Sequence, residues 1–416
     1  MPVQITERLE FRRLTTFSPN KRLPIHRWFP YLQAFSRGLI ATLLEELALV
    51  KNQLVLDPFC GVGTTNLTCK EKGINSIGLD VSPLACFVSK VKTRNYSMYS
   101  SDQLLSGLKS LFNANIPYPK PDHPIMDKGF SPAVLSELLV IRNNIETIKD
   151  KTLREFYLLA YLRSIEDLSF IVRDGAHYRY NFNKQLPRVK DTVINSAREM
   201  ITDICTVGKT IDDRDGNPSE SKNGEVMILK GDARKMEIED ESVDCIITSP
   251  PYCNRDNYTA QFKIELFLGG FLTSFNDYRQ VTHDSFRSHI EAKPSPNNGP
   301  YSNELVDEFI ESLSKRKLSN PKNPVMIRGY FEDMHSFLQQ TYRVLRNGAT
   351  MLIVIGNSAW SGLYLEVDKI ICNIAETLGF SDPRIWVTRY KLNSAQQLAR
   401  YGRIKIRESI ISLTKE

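Results

Sequence analysis

The chain has 416 residues and a formal charge of +6, with 41% hydrophobic and 25% charged residues, the make-up of a globular protein with one large, insertion-bearing domain or two domains. No apolar run reaches the roughly 18 residues of a membrane span, and Met1–Arg13 lacks a signal-type apolar segment, so a cytoplasmic protein with no membrane partner is expected. Seven cysteines without a CxxC pair and six scattered histidines without an HExxH run point to reduced thiols and no bound metal.

Residues 1–25 are polar and basic without periodicity, an arm over the surface. Trp28-Phe29-Pro30-Tyr31 follows, and Phe35, Leu39, Ile40, Leu43, Leu44 and Leu47 then recur at helical spacing, which predicts a helix over 36–49. The aromatic cluster before it suits either a hydrophobic staple or one wall of a ligand pocket. Gln53–Leu56 reads as a short strand. It runs into Asp57-Pro58-Phe59-Cys60-Gly61-Val62-Gly63-Thr64-Thr65, then a helix over 64–72 that Gly73 ends. Ser76–Asp80 is a second strand that finishes in an acid about 20 residues after the first glycine. A strand, glycine turn, helix and strand-end acid place a ligand at the carboxyl edge of a parallel sheet. The glycines let backbone approach it, the helix N-terminus favours an anion, and the acid accepts from ribose hydroxyls.

Residues 91–222 predict a mainly helical insertion, entered through Ile116–Pro121 and left through a polar loop over 211–224. Inside it, His177–Lys190 holds four basic residues, no acid, and Tyr178, Tyr180 and Phe182 between them. A second basic stretch, Arg384–Arg407, has seven Lys or Arg and no acid. A charge run is usually a solvated face. Mixed with aromatics it suits phosphate and base contacts, so Tyr178, Arg179, Tyr180, Lys184, Arg400 and Arg403 are the expected DNA-binding residues.

The sheet resumes with a strand over 226–229 ahead of Gly231-Asp232-Ala233, where Asp232 suits an adenine amine or a helix cap equally. The run Val243–Ile247 is a buried strand, and Thr248-Ser249-Pro250-Pro251-Tyr252 stops it, because two prolines cannot continue a ladder. That turn presents a hydroxyl, carbonyls without competing N–H groups, and an aromatic face, a set able to grip a flat base by its exocyclic amine. A helix over 259–268, an irregular polar segment over about 272–328, a helix over 331–345 closed by Asn347-Gly348, a strand over 350–355, a helix over 365–378 and strands over 384–390 and 408–413 complete the series. The expected fold is α/β, a Rossmann-like sheet with helices on both faces plus the helical insertion. Residues 1–90 form its cofactor-binding half and 223–416 its catalytic half.

Asp57–Thr65 followed by Thr248–Tyr252 resembles the S-adenosylmethionine-dependent DNA methyltransferases that modify exocyclic amino groups. The Ser form of the second motif is most typical of the N4-cytosine enzymes, while N6-adenine enzymes usually carry Asp or Asn there. The resemblance covers roughly 26–90 and 225–413 and leaves the insertion out. It implies S-adenosyl-L-methionine as cofactor, double-stranded DNA with a flipped target base as substrate, and a restriction or phage-defence setting with a cognate endonuclease. It also implies that Asp57, Pro58, Phe59, Cys60, Gly61, Gly63, Thr64 and Thr65 wrap the methionine end and that Asp80 binds the ribose. Asp232 and Ala233 would sit by the adenine, and Trp28–Phe35, with Tyr31, would pack on the cofactor's other side. Asn357 and Ser358 would line the pocket. Ser249, Pro250, Pro251 and Tyr252 would be catalytic.

Two rivals fare worse. A nicotinamide-dinucleotide fold leaves the Pro-Pro motif without a job, and the third glycine of that fingerprint is absent. A C5-cytosine mechanism through Cys253 needs a depressed thiol pKa that nothing nearby supplies. An N6-adenine enzyme, an RNA or protein amine methyltransferase, and an inactive nucleic-acid-binding module stay open at this point. The cofactor motif here precedes the catalytic motif, whereas many N4-cytosine enzymes have the reverse order. That leaves either 91–222 or 272–328 to read the DNA sequence.

Overall fold

The computed structural model describes residues 3–174, 177–212, 224–254, 256–293, 301–393 and 395–416. Gly175, most of the polar loop over 211–224 and the proline-rich run 294–300 lie outside the described residues.

The chain runs through β1 (Gln4–Glu7), α1 (Arg37–Glu46), β2 (Leu54–Asp57), α2 (Thr64–Lys72), β3 (Asn75–Asp80) and α3 (Pro83–Thr93). The insertion follows as α4 (Ser101–Ser110), α5 (Ile125–Gly129), α6 (Pro132–Glu146), α7 (Lys151–Ser164), a hairpin of β4 (Ile171–Asp174) and β5 (His177–Tyr180), and α8 (Val189–Asp212). The sheet then resumes with β6 (Val226–Lys230) and β7 (Val243–Thr248). After these come α9 (Tyr258–Gln261), α10 (Lys263–Leu268), α11 (Phe275–Asp284), α12 (Glu304–Ser314) and α13 (Asn323–Val344). Last are β8 (Leu345–Gly356), β9 (Ser358–Trp360), β10 (Leu363–Leu365), α14 (Val367–Thr377), β11 (Phe380–Leu392), α15 (Ala395–Tyr401) and β12 (Lys405–Lys415).

Eight strands form one sheet in the order β1-β11-β12-β8-β7-β2-β3-β6. The run from β8 to β6 is parallel, and β12 lies antiparallel between β8 and β11. Alternation along each strand sends neighbouring side chains to opposite faces. Val55, Cys245, Ile247 and Val354 therefore pack under α1 with Leu39 and Leu43. Leu56, Ile246, Ile353 and Ile355 pack under α13 and α14 with Phe337, Leu338 and Ile371. Both faces are covered, so the near-continuous apolar runs of β7 and β8 are what a doubly wound sheet requires. The insertion has its own core around Phe156, Tyr157 and Tyr161, continuous with Val88 of α3 and Phe262 at the start of α10.

Three elements depart from the sequence expectation, and the insertion, expected to be mainly helical, also holds one hairpin. The N-terminal arm contains β1, which pairs parallel with β11 at the sheet edge, and Arg8 behind it lies 4.2 Å from the Phe11 ring and 5.2 Å from Trp386. The insertion is not all helix, since β4 and β5 pair Ile171 with Tyr180. The segment over 272–328 is not irregular: Ser274 caps α11 in a reciprocal capping box and Asn303 caps α12. Asn347-Gly348 does not close α13, which ends at Val344; both residues lie within β8.

Among the described residues no helix is long and apolar enough to cross a membrane. All seven cysteines are free, and no cluster of His, Cys, Asp or Glu among the described residues could hold a metal ion.

Candidate active site

The strand order reverses between β2 and β7, and a crevice opens at the carboxyl ends of strands where such a switch occurs. Here β2 ends at Asp57 and β7, its hydrogen-bonded neighbour, ends at Thr248. The Thr248 hydroxyl donates to Asp57 Oδ1 at 2.7 Å, and the Thr65 hydroxyl donates to Asp57 Oδ2 at 2.6 Å. One buried carboxylate thus ties the glycine turn, the first turn of α2 and the proline turn together. Burial pushes the Asp57 carboxyl up to about 6, against the pull of these hydrogen bonds.

The cleft is floored by Asp57–Val62 and Thr64, with Asp80 at the end of β3 beside them. Gly61 (φ 49°) and Gly63 (φ 75°) sit in the left-handed region. A side chain at Gly61 would meet the Tyr31 ring at 3.4 Å, and one at Gly63 would drive into Ser89 of α3. Asp80 accepts the Gly61 N–H at 3.0 Å through Oδ2 and the Ser82 N–H at 2.8 Å through Oδ1. One bond per oxygen leaves lone pairs for a ligand hydroxyl, and burial pushes this carboxyl up to about 6 as well. Lys92 donates to the Val62 carbonyl at 3.0 Å from within the core, and burial pulls its ammonium down to about 7.

Two aromatic walls flank the floor. Tyr31 stacks on Phe262, ring centroids 5.0 Å apart and 4° from parallel. On the other side Phe286 meets Phe59 edge-on at 5.6 Å. Asp232 and Ala233 line the cleft near Phe286. The Asp232 carboxylate is held by Arg234, whose Nη2 lies 2.7 Å away and also donates to the Asp284 carbonyl. Arg234 reaches Asp333 on α13, and Asp333 holds Arg287. This chain of charges docks the Asp284–Arg287 stretch against the end of β6. Within the stretch, the Ser285 hydroxyl donates to Thr282 O, so its 2.9 Å contact with His289 takes the hydrogen from Nε2. Burial pulls the His289 pKa down to about 4, and the ring is neutral.

Ser249, Pro250 and Pro251 complete the cleft. The Ser249 hydroxyl donates to the Val354 carbonyl of β8 at 3.0 Å, and the Pro251 carbonyl accepts from the Tyr330 hydroxyl at 3.0 Å. Three residues of the glycine and proline turns lie outside the cleft lining. Gly63 and Thr65 shape the turn from behind. Tyr252 is bedded on Gly356 of β8, with Lys391 5.8 Å from its ring.

Several expectations need correction. Trp28 is core: its indole N–H donates to Asp203 and its ring packs on Tyr96 and Phe156. Phe29, Tyr31 and Phe35 of the same segment do line the cleft. Asn357 and Ser358 do not, because the Asn357 amide joins Tyr364 to the Asp368 N–H and the Ser358 hydroxyl takes the Trp360 N–H. Tyr178 is turned inward, its hydroxyl accepting from the Lys263 N–H. Lys184 is also engaged, donating to the Glu166 and Ser169 carbonyls. Arg179, Tyr180, Arg400 and Arg403 are exposed. Cys253 is fully buried, and burial pushes its thiol well up, the opposite of an activated nucleophile.

The residues missed from sequence were Tyr258, Phe262, Phe286 and His289. Phe286 and His289 stand in the segment read as irregular, and no motif marks them.

Eight strands in this order, with a glycine turn, two strand-end acids and a polar proline turn around one crevice, make a Rossmann-like fold whose cleft has the parts an S-adenosylmethionine site needs. The cleft fits that cofactor on its own evidence. A glycine turn bears on the N-terminus of α2, and the buried Thr64 hydroxyl there has no protein partner. Asp80 keeps acceptor capacity, and two aromatic walls stand a cleft's width apart.

A family model described as DNA methylase matches residues 14–90. The chain is 28% identical to the Type II methyltransferase M.BsoBI of Geobacillus stearothermophilus, over 96% of this chain and 87% of that one. It is 28% identical to the Type II methyltransferase M.AvaI of Nostoc sp., over 96% and 88%. Against the Type II methyltransferase M.MvaI of Kocuria varians it is 21% identical, over 84% and 80%. Along nearly its whole length the chain is thus similar to Type II methyltransferases, and its first sheet unit matches the DNA methylase model.

Proposed function

We propose that this protein methylates the exocyclic N4 of cytosine in double-stranded DNA, as the modification enzyme of a cytoplasmic restriction-modification system with a cognate endonuclease. The names of its relatives, all Type II methyltransferases, support the setting. The observation that carries the chemistry is the Ser249 hydroxyl. It spends its single hydrogen on Val354 O and meets the Tyr252 hydroxyl, so what it has left for the cleft is acceptor capacity.

An aromatic exocyclic amine is a weak nucleophile because its lone pair is delocalised into the ring. Ser249 Oγ and the Pro250 carbonyl accept hydrogen bonds from its two N–H groups and let the nitrogen pyramidalise; as the N–C bond forms the S–C bond breaks to leave a thioether, and the nitrogen's surplus proton passes to solvent. Bound S-adenosylmethionine supplies an electrophilic sulfonium methyl. Asp80 orients the ribose of that cofactor, and Thr64 with the first N–H groups of α2 takes its carboxylate. Asp232, Ala233 and Phe286 enclose the adenine. Tyr252, packed on Gly356 outside the cleft lining, braces the proline turn, and Arg179, Tyr180, Arg400 and Arg403 contact the duplex. Everting the base costs roughly a few kcal/mol, which protein–DNA contacts must offset. The acceleration comes from positioning and fixed dipoles, without a covalent intermediate.

Mass analysis of nucleosides from DNA incubated with the protein and labelled cofactor tests this. N4-methylcytosine is expected. N6-methyladenine in its place would move the target, and a mark confined to RNA or protein would move the substrate class.

A further inference from the structure

The hairpin of the insertion carries an arrangement that neither the core nor the cleft uses. Tyr180 and Phe182 stack face to face, centroids 5.8 Å apart and 4° from parallel, yet they are 41% and 67% exposed. Phe170 backs Phe182 at 5.6 Å. The platform is stiff, because Asn181 N–H bonds Phe170 O and Lys184 fastens the following turn to the Glu166 and Ser169 carbonyls. The ring contacts steady the hairpin, yet broad ring faces stay in solvent, where they can take a stacking partner.

Position and charge identify the partner. Arg173 of β4 donates to the Gln261 carbonyl, pairs with buried Glu265, and lies 4.8 Å from the ring of Phe262, the residue that stacks on Tyr31 in the cleft. Tyr178 of β5 bonds the Lys263 N–H next in line. The hairpin is therefore built onto the cleft wall. Phe182 stands four residues along the chain from that anchor, in the turn that follows β5. Exposed Arg179 and Arg188 stand either side of the pair in sequence and residues 177–190 contain no acid; Glu166 and Asp167 face Lys184, so the two arginines are what this surface offers a polyanion.

We infer that Tyr180 and Phe182 form a wedge that stacks on the DNA bases at the gap left by the everted target nucleotide. This rests on the DNA-methylating reading above and adds to it the group that offsets the cost of eversion. Apolar wedges open base steps, and an aromatic face accepts any base without sequence preference.

The test compares two duplexes carrying the same mapped site, one fully paired and one with the target base mismatched and so already unpaired. In the wild type, methyl transfer to both establishes the parent reading; transfer to neither defeats that reading, not this one. In Phe182→Ala and Tyr180→Ala, kcat/KM on the paired duplex should fall roughly 5- to 150-fold, the worth of one base–aromatic stack. The loss on the mismatched duplex should be much smaller, and Phe182→Trp should restore the paired rate. An equal loss on both duplexes would mean an ordinary groove contact, and no loss on either would mean an idle surface; both overturn the wedge. Circular dichroism and cofactor affinity matching wild type would exclude misfolding of these exposed variants.

Discussion

Replacing Ser249 by alanine separates base-gripping from cofactor binding. The hydroxyl donates to Val354 O at 3.0 Å and also meets the Tyr252 hydroxyl. Its loss should cost about 0.5–1.5 kcal/mol of stability, the net worth of a neutral bond, against a total of roughly 5–15 kcal/mol. The variant should stay folded. Its catalytic cost is larger, because Ser249 is a fixed dipole aimed at an amine whose hydrogens grow more acidic as the N–C bond forms. Removing one preorganised partner of that kind typically lowers kcat by about 10²–10³-fold. Initial rates of methyl incorporation and calorimetric titration of cofactor measure the two effects separately. We expect the rate to fall by that factor and cofactor affinity to stay at the wild-type value. Parallel loss of both, or an unaltered rate, would refute the assignment of Ser249 to the base.

The bond from Thr248 to Asp57 is buried and charge-assisted, so Thr248→Val should destabilise the fold by about 1.5–3 kcal/mol in urea titration, and it should weaken cofactor binding as the glycine turn loosens; an unchanged midpoint would deny the coupling. Burial lifts the Asp80 carboxyl from 3.8 to about 6. Ribose binding uses the ionised form, so cofactor affinity should weaken as pH falls through about 6, and Asp80→Asn should reduce that pH dependence to the part Asp57 carries and remove most of the affinity. The same shift leaves the folded chain holding a proton that the unfolded chain has released between 3.8 and about 6. This group's contribution to stability therefore declines as pH rises through that window and is flat above it. Cys253→Ala should keep wild-type turnover at a stability cost of about 1 kcal/mol; loss of turnover by orders of magnitude would revive a thiolate mechanism.

The cleft's floor was readable because its devices are local. A glycine turn between a strand and a helix, a strand-end acid and a double-proline stop each act within a few residues, so their sequence order carries their geometry. The walls were not readable, because they depend on distant contacts. Phe262 becomes a wall only when Tyr31, over two hundred positions earlier, stacks on it. Phe286 is placed by the Arg234–Asp333–Arg287 ion pairs, whose members lie on three separate segments. Trp28 looked like a pocket aromatic until Asp203 of α8 claimed its N–H. Strand β1 has no apolar alternation and all four of its residues are exposed; only the free edge of β11 makes it a strand. Basic residues misled in a related way: Lys184 reads as a free cation in sequence, but two carbonyls exposed at a helix end take its hydrogens.

The most direct measurement is an experimental structure of the protein with S-adenosylhomocysteine. The account predicts the adenosyl ring beside Phe286 and Asp232, the ribose on Asp80 and the sulfur facing Ser249. Ligand density in the neighbouring cavity lined by Lys21, Arg27 and Arg163, or a sulfur turned away from the proline turn, would contradict it.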